Sequence, residues 1–480
     1  MRHRPHVSWL IAVGSVGIVV GAAGSAYLDA RYWSGPEWLI VALLGALASL
    51  MSRSKLAVII ILFAGLSLGV WRGSQLLVGL EGLRSLQGSS TVVVGRVLED
   101  PTLSKTGDVQ MKLGDITVDG HPLDGVLWAS VSAVPDVKRS DYVSVSGDVS
   151  EGFGNIPTAI FRGQLLSIER QDYIDVGRDA RDSFAGGIRS AISEPEASLA
   201  SGFLVGQKTE LPEKLSNDMK LLGLTHIVVA SGYNLSILIR FTRRWLAKIS
   251  RFTALAAGGA LVYGFVHVTG FSPSMARASL VTGLSLVSWY YGRKVHPVIL
   301  LAFAAGLTVM IDPSYSWGDL GWLLSFTSFV GVMILSPLLN RYFWGEKDPG
   351  PISQVVIETM SAQVLTLPIT LYVFGQYSPL SLLANVLILP LISVTMLLSF
   401  IAGFAGLVAS SYAAIVGAPA QIVLMYMTAV VDYLAALPSA ENEIKFGLSW
   451  LVVGYILIFW LVLFLRRRSN YEFREYNIIE

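Results

Sequence analysis

Residues 221–238 read Leu-Leu-Gly-Leu-Thr-His-Ile-Val-Val-Ala-Ser-Gly-Tyr-Asn-Leu-Ser-Ile-Leu, an apolar stretch that carries polar side chains. A helix needs about 20 predominantly apolar residues to cross a bilayer. The polar residues within the stretch are Thr225, His226, Ser231, Asn234 and Ser236. Because polar groups in membrane segments usually face a bundle interior or a water-filled cavity, the stretch predicts a membrane span with a functional polar face.

The composition of the whole chain also indicates a membrane protein. Of its 480 residues, 53% are hydrophobic and 14% are charged, whereas about 25% of residues are charged in a typical soluble domain. The mean hydropathy is +0.59. The formal net charge is only +1, and the lack of cysteine excludes disulfides, thiolate nucleophiles and cysteine metal sites. We therefore predict a polytopic α-helical membrane protein, and exclude a soluble globule and a disordered chain.

Apolar runs recur along the sequence on both sides of this stretch. They lie at about 7–28, 38–51, 56–71, 221–239, 255–271, 278–291, 298–311, 320–338, 355–374, 380–408, 412–433 and 448–465. These runs predict about twelve crossings. Pro390 divides the long run 380–408, for which we expect one crossing plus a re-entrant or in-plane piece. Basic residues in short loops mark the cytoplasmic side, which places both termini in the cytoplasm.

The part between the third and fourth runs has a different pattern. Five β-branched segments between Gly, Pro and Asp turns predict a small extracytoplasmic β-barrel, with an OB-like fold as the first candidate. From Thr91 to Arg170 there are 7 basic and 11 acidic residues, so the net charge is 7 − 11 = −4. A surface that binds nucleic acid without sequence preference is expected to be basic. The barrel as a whole therefore shows no such surface.

The sequence divides into five regions on these grounds. They are residues 1–75, an N-terminal membrane region of about three spans; 85–172, the β-barrel; 174–220, amphipathic helices on the outer membrane surface; 221–466, a membrane domain; and 467–480, a cytoplasmic tail. We expect a cytoplasmic (inner) membrane location with the barrel outside.

The residues of the stretch leave three classes of function open. A serine hydrolase would need a base beside Ser231, but His226 is five residues away, about 140° around a helix. A histidine from another helix would have to serve, so an intramembrane hydrolase is the least favoured class. A secondary transporter for a small solute or lipid fits broken helices with polar residues at the midplane. The third class, a channel, rests on a family resemblance.

Several motifs, in order, resemble those of the ComEC-type competence family. They are Gly223–Gly232, Ser272–Ala278, Asp312–Pro313 with Gly321–Phe326, Ala362–Pro368, Phe374–Gln376, and Leu383–Asn385 with Pro390. With the N-terminal spans and the barrel, the resemblance covers nearly the whole chain. It implies a competence-type channel domain at 221–466 that passes single-stranded DNA across the cytoplasmic membrane in natural transformation.

The resemblance also implies partners and the absence of catalysis. The chain resembles a short member without the C-terminal metallo-β-lactamase-like domain of many relatives, so we expect no enzyme activity, no cofactor and a separate nuclease. Besides single-stranded DNA and the lipid bilayer, the expected partners are external DNA-binding or pilus proteins and a cytoplasmic helicase-like motor.

The candidate site residues follow from where polar and basic groups interrupt the apolar runs. The predicted DNA path or channel lining is His226, Ser231, Gly232, Asn234, Arg277, Gln363 and Asn385. The predicted cytoplasmic exit is the loop that carries Arg240, Arg243, Arg244 and Lys248. No residues are predicted to be catalytic or to bind a metal.

Overall fold

The structure, a computed structural model, describes most of the chain. The described residues are 6–52, 54–104, 107–132, 136–170, 175–207, 211–228, 232–270, 272–292, 296–347, 349–437, 442–443 and 446–469. The chain forms two compact units. The first comprises Met1–Arg178, Gly270–Leu284 and Val298–Leu323, and the second comprises Asp179–Thr269, Ser285–Pro297 and Leu324–Glu480.

Helices make up most of both units. The α-helices are α1 (Val7–Ser25), α2 (Ala30–Trp33), α3 (Pro36–Met51), α4 (Leu56–Gly79), α5 (Glu81–Arg84), α6 (Val176–Ala191), α7 (Glu196–Val205), α8 (Glu213–Leu221), α9 (Thr225–Val228), α10 (Gly232–Leu246), α11 (Arg251–Thr269), α12 (Pro273–Tyr290), α13 (Pro297–Ile311), α14 (Leu320–Trp344), α15 (Pro351–Phe374), α16 (Ser381–Val408), α17 (Ser410–Ala435) and α18 (Leu448–Ser469). A 3-10 turn covers Pro313–Trp317.

Within the described residues, eight helices are long and apolar enough to cross a membrane. They are α1, α4, α11, α14, α15, α16, α17 and α18. Three further apolar helices, α3, α7 and α13, are shorter. The chain is thus a multi-pass membrane protein, as predicted, while the number of about twelve crossings stays a prediction.

Two of the predicted runs differ from the helices observed. The run 380–408 is a single continuous helix, α16, with Pro390 inside it, so the expected division does not occur. The span predicted over 221–239 stays a prediction, because residues 229–231 between α9 and α10 lie outside the described residues. Its predicted start differs from the observed helices, because α8 ends at Leu221 and α9 begins only at Thr225. The physical reason is Gly223, whose φ of 67° lies in the left-handed region and cannot continue a right-handed helix.

Five long strands form the closed β-barrel that the sequence predicts. The strands are β1 (Ser90–Val97), β2 (Thr102–Leu103), β3 (Val109–Val118), β4 (His121–Leu123), β5 (Leu127–Val131), β6 (Tyr142–Glu151) and β7 (Thr158–Glu169). The ring runs β1-β6-β7-β5-β3 and closes by β1–β3 pairing, with only β5–β7 parallel. Alternate residues such as Val93, Val143 and Val145 fill its interior. A further short pair joins β8 (Gln376–Tyr377) and β9 (Asn442–Glu443).

Small residues allow α1 and α4 to pack closely in the first unit. Gly65, Gly69 and Gly73 repeat every fourth residue of α4 and face α1. A Cβ added at Gly69 would meet the backbone of Ile18, and one added at Gly21 would meet the backbone of Leu66. Spacing of this kind lets helix backbones approach each other in membranes, where van der Waals packing drives association.

A buried ion-pair network joins the barrel to the start of α6. The guanidinium of Arg139 donates two hydrogen bonds to Asp175, at 2.7 and 2.9 Å. Asp141, which is fully buried, accepts from Arg170 at 2.7 Å and from Arg178 at 3.4 Å. Arg178 also donates to the carbonyl oxygen of Arg139 at 2.8 Å. The barrel and the first turn of α6 are therefore connected by charged hydrogen bonds.

Helix α7 lies in the core of the second unit. The sequence predicts an amphipathic helix on the membrane surface here, but every residue of α7 is buried. The helix has small or apolar residues on every side, so it lacks a polar face that water would cover. Its sequence is Glu-Ala-Ser-Leu-Ala-Ser-Gly-Phe-Leu-Val. The buried carboxylate of Glu196 accepts hydrogen bonds from Gln421 and Thr428 of α17, both at 3.0 Å.

The glycine contact between α1 and α4 predicts a position-specific loss of stability. In Gly21→Ala the new methyl group would force the two helices apart, at a cost of about 1–3 kcal/mol. Gly24→Ala is the matched control on the same helix, because its Cβ would have nothing within 4 Å. Thermal unfolding in detergent should show a lower Tm for Gly21→Ala only. Equal Tm values for the two variants would contradict the packing described.

The ion-pair network predicts an acid-dependent contribution to stability. Burial works against the charged form of Asp175, but hydrogen bonds from Arg139, from the backbone N–H of Arg178 and from Ser140 outweigh it and lower its pKa to about 2. Since this pKa is below the ordinary value of about 3.9, the stabilisation is complete above pH 4 and is lost as the pH falls towards 2. Asp175→Asn should cost about 1–3 kcal/mol at neutral pH.

Asp115→Asn is the control for that experiment, because Asp115 pairs with Arg96 at 2.8 Å on the exposed barrel surface. Surface pairs contribute about 0–1 kcal/mol. Unfolding of the full chain, followed between pH 2 and 7, should show a smaller pH dependence in Asp175→Asn than in Asp115→Asn. The same pH dependence in both variants would refute the role of Asp175.

Candidate functional site

The turn after α8 has the hydrogen bonds of a Schellman motif. Gly223 donates from its backbone N–H to the carbonyl of Lys220 at 3.1 Å, and Leu224 donates to that of Met219 at 2.8 Å. These two bonds satisfy carbonyl groups that a helix end otherwise leaves unpaired. The apolar stretch therefore changes direction at Gly223 without leaving the described backbone carbonyls of this turn unsatisfied.

Three elements of the second unit meet at Ser381, the first residue of α16. Gln363 of α15 donates from Nε2 to Ser381 Oγ at 2.7 Å. Asn385 donates from Nδ2 to the Ser381 carbonyl oxygen at 2.8 Å. A Cβ added at Gly223 would lie 2.7 Å from Ser381 Oγ, so the turn after α8 also contacts this residue. We call Gly223, Gln363, Ser381 and Asn385 the Ser381 site.

The Ser381 site offers hydrogen bonds that the described residues do not use. Asn385 is 1% exposed, and its Oδ1 has no hydrogen-bond partner within the described part of the chain. The hydroxyl of Ser378, just before α16, is also buried and unpaired by the same criterion. Buried polar atoms nearly always find a partner, so such groups indicate a place for water or a bound polar molecule. The four residues of the site carry no charge.

Asn234, predicted to line the path, is a buried connection between two helices. It is 1% exposed and donates from Nδ2 to the carbonyl oxygen of Phe203 at 2.9 Å. Phe203 lies in the last turn of α7, where carbonyl groups lack partners within the helix. The amide of Asn234 therefore joins α10 to the end of α7.

The other predicted path residues fall into different parts of the structure. Gly232 is the first residue of α10. His226 belongs to α9, but its side chain lies outside the described residues, as does all of Ser231. Arg277 is half-buried on the part of α12 that belongs to the first unit. The structure therefore brings Gln363 and Asn385 together, while a single path through all seven residues stays a prediction.

The basic residues predicted to form an exit loop begin inside a helix. Because α10 continues to Leu246, Arg240, Arg243 and Arg244 lie on its last turns, and the predicted loop is wrong for these three residues. Arg240 and Arg244, four residues apart, are both exposed. The guanidinium carbon of Arg243 lies 5.5 Å from the centre of the Trp289 ring, a cation–π distance. Their role at an exit stays a prediction.

Comparison with known proteins identifies the family. A sequence model of the family described as "Competence protein" matches residues 203–469, more than half of the chain. The chain belongs to the competence protein family. It is also 24% identical over 220 residues to ComE operon protein 3 of Bacillus subtilis (strain 168), a match that covers 45% of this chain and 27% of that relative. No solved structure matches significantly.

We call the matched residues 203–469 the competence region. It contains two site residues, Gly223 and Ser381, that the sequence analysis did not select. Gly223 was recognised as part of a motif, but its contact with Ser381 joins positions far apart in sequence and leaves no local pattern. Ser381 had a usable signal, because it precedes Asn385 by four residues and so shares one face of α16. Both residues lie within the matched competence segment.

The contact between Gly223 and Ser381 predicts a coupled loss of stability. Gly223→Ala would place a Cβ both in the left-handed region, at about 1–2 kcal/mol, and against Ser381 Oγ. Gly292 is the matched control, since its φ is 63° and a Cβ there would have nothing within 4 Å. Thermal unfolding in detergent should therefore show a larger loss for Gly223→Ala than for Gly292→Ala.

A double-mutant cycle separates the backbone strain of Gly223→Ala from the cost of its contact with Ser381 Oγ. Ser381→Ala removes the hydroxyl, so it should partly restore the stability of Gly223→Ala and leave that of Gly292→Ala unchanged. Additive effects of Gly223→Ala and Ser381→Ala would mean that the two residues do not contact each other.

Proposed function

We propose that this member of the competence family is a channel that passes single-stranded DNA across the cytoplasmic membrane during natural transformation, and that it does so without catalysis. The observation that carries the proposal is the Ser381 site. It places uncharged polar groups, with buried atoms still free to bond, inside an apolar unit of the competence region. Polar groups in such surroundings are expensive and generally functional.

The chemistry of the Ser381 site suits a hydrated path. The amides of Gln363 and Asn385 each carry donors and an acceptor, so they can replace water around a phosphate or a base edge. Being neutral, they attract a polyanion without holding it tightly, and conduction requires contacts weak enough to leave. Arg277 on α12 is proposed separately as a cation at an entrance for DNA.

The barrel is proposed to be of the OB type and to lie outside the cell. The first point is supported by its five-stranded closed ring with a parallel β5–β7 pair. The second is supported by basic residues in the last turns of α10 and α18, Arg243–Arg244 and Arg466–Arg468, which favour the cytoplasmic side. We propose on the same basis that both termini are cytoplasmic.

We propose three partners for this channel, whose activities we do not assign to its own described residues. They are an external DNA-binding or pilus protein, a cytoplasmic helicase-like motor and a separate nuclease. The exposed Arg240 and Arg244 would face DNA that leaves towards the motor, with Arg243 and Lys248 beside them.

A second candidate function is secondary transport of a small solute or lipid. The turn at Gly223 between α8 and α9 favours it, because discontinuous helices with exposed backbone ends form substrate sites in many transporters. Binding of a small solute to the purified protein, with no effect of Asn385→Leu on transformation, would favour this candidate over the channel.

The channel predicts that polarity at the Ser381 site is required for transformation. Asn385→Leu keeps the volume but removes the amide, so the transformation frequency of a competent host should fall about tenfold or more, because a buried polar group of the path is lost. Thr395→Val is the control on the same helix, because Thr395 is also fully buried and bonds to Leu391 of its own helix.

Both variants must reach normal amounts in the membrane, and binding of DNA outside the cell should not change in either. Transformation of Asn385→Leu at the frequency of Thr395→Val would overturn the proposal.

A further inference from the structure

Three aromatic side chains form a cluster on the outer surface of the β-barrel. The rings of Trp128 and Phe153 are 5.3 Å apart and nearly perpendicular, and those of Trp128 and Phe161 are 5.2 Å apart. Phe153 is 50% exposed and Phe161 is 52% exposed. We call Trp128, Phe153 and Phe161 the aromatic triad. Contiguous exposed apolar patches can mark interaction surfaces, whereas singly exposed apolar residues need no explanation.

The loop that carries Phe153 packs against the ends of membrane helices. Asn155, in the same loop between β6 and β7, donates from Nδ2 to Ser314 Oγ at 3.3 Å and to Asp319 Oδ2 at 3.4 Å. A Cβ added at Gly154 would lie 3.5 Å from the carbonyl oxygen of Gly318. Ser314, Gly318 and Asp319 all lie in the short connection between α13 and α14. The loop that carries Phe153 therefore lies beside the ends of α13 and α14.

A second observation relates Trp128 to the same connection between α13 and α14. Its partner across the strand pair is Lys112. Burial raises the pKa of Asp319, and the positive charge of Lys112 acts on that carboxyl in the opposite direction. Lys112, which pairs with Trp128 across the strands, is thus near enough to Asp319 for the two charges to interact.

Other aromatic residues cluster at this same level of the first unit. Leu28 and Ala30 line one cleft together with Gly154 and Asn155. The chain around them carries Tyr27, which is 90% exposed. It also carries Trp33 and Trp38, whose rings stack at 4.1 Å. Tryptophan and tyrosine concentrate where spanning helices meet the headgroups, so these residues mark the level of the membrane surface.

We infer that the aromatic triad inserts into the headgroup region of the leaflet next to the barrel and holds the barrel on the membrane surface. The triad contacts a phospholipid surface in this proposal, because it continues the belt of aromatic residues around Leu28. The exposed Arg162, which has no ion-pair partner in the described ranges, follows Phe161 and would face lipid phosphates.

A nucleic acid is a poorer occupant of this surface. Base stacking usually acts together with a basic groove, whereas the barrel carries a net charge of −4 from 7 basic and 11 acidic residues between Thr91 and Arg170. Several of those basic residues are already paired with carboxylates, including Arg96 with Asp115 and Lys112 with Glu99. The lipid contact does not depend on what the second unit transports.

The absence of cysteine makes a site-specific test possible. Phe153→Cys and Phe161→Cys, each in the full chain, can be labelled with an environment-sensitive fluorophore, while the other two triad residues remain. Leu166→Cys is the matched control, since Leu166 is 56% exposed on the same strand as Phe161. It lies five residues further along β7 from the loop that carries Phe153, about 17 Å.

The labelled proteins are placed in vesicles of phosphatidylcholine and phosphatidylglycerol that contain a nitroxide near the headgroup. Quenching at positions 153 and 161 should be about twofold greater than at 166, because quenching requires contact with the interface. Equal quenching at all three positions, with unchanged thermal unfolding, would overturn the inference. A fluorescence change at 161 on adding single-stranded DNA, without lipid quenching, would also overturn it in favour of a nucleic-acid surface.

Discussion

A polar group that this chain buries within an apolar surrounding is costly unless it finds a hydrogen-bond partner. The ends of its membrane helices show how side chains from distant helices meet that requirement. Arg72 of α4 donates to the carbonyl oxygens of Met310 and Ile311 at the end of α13, both at 3.0 Å. Trp317 donates from Nε1 to the carbonyl of Ala22 at 2.7 Å. These bonds fix the ends of α1, α4 and α13 relative to one another.

The same requirement explains the structure of the described residues within the stretch 221–238. A left-handed glycine stops α8, and its turn satisfies the carbonyls it frees. Asn234 then supplies a side-chain donor to the end of α7. The stretch can thus change direction within an apolar unit at little cost. Asn385 and Ser378 are among the described residues whose buried polar atoms lack a partner, and these two lie together at the start of α16.

Sequence periodicity predicted those helices and strands whose surroundings stay the same along their whole length. The long apolar runs became helices such as α14 and α16, and alternating β-branched segments became the barrel strands. Helix α7 could not be predicted in the same way, since small and apolar residues on all sides do not indicate which neighbours cover them. The break at Gly223 and its contact with Ser381 depend on a meeting of distant segments, which periodicity does not report. The aromatic triad likewise joins three separate strands and loops.

The ion-pair network around Asp141 and Asp175 has a mechanical consequence. Separating the barrel from the first turn of α6 would expose buried guanidinium and carboxylate groups to incomplete pairing, which typically costs about 3–5 kcal/mol for each broken pair. The barrel and that turn therefore act as one stiff piece. A force on the barrel would thus reach the first turn of α6 through the hydrogen bonds of Arg139 and Arg178.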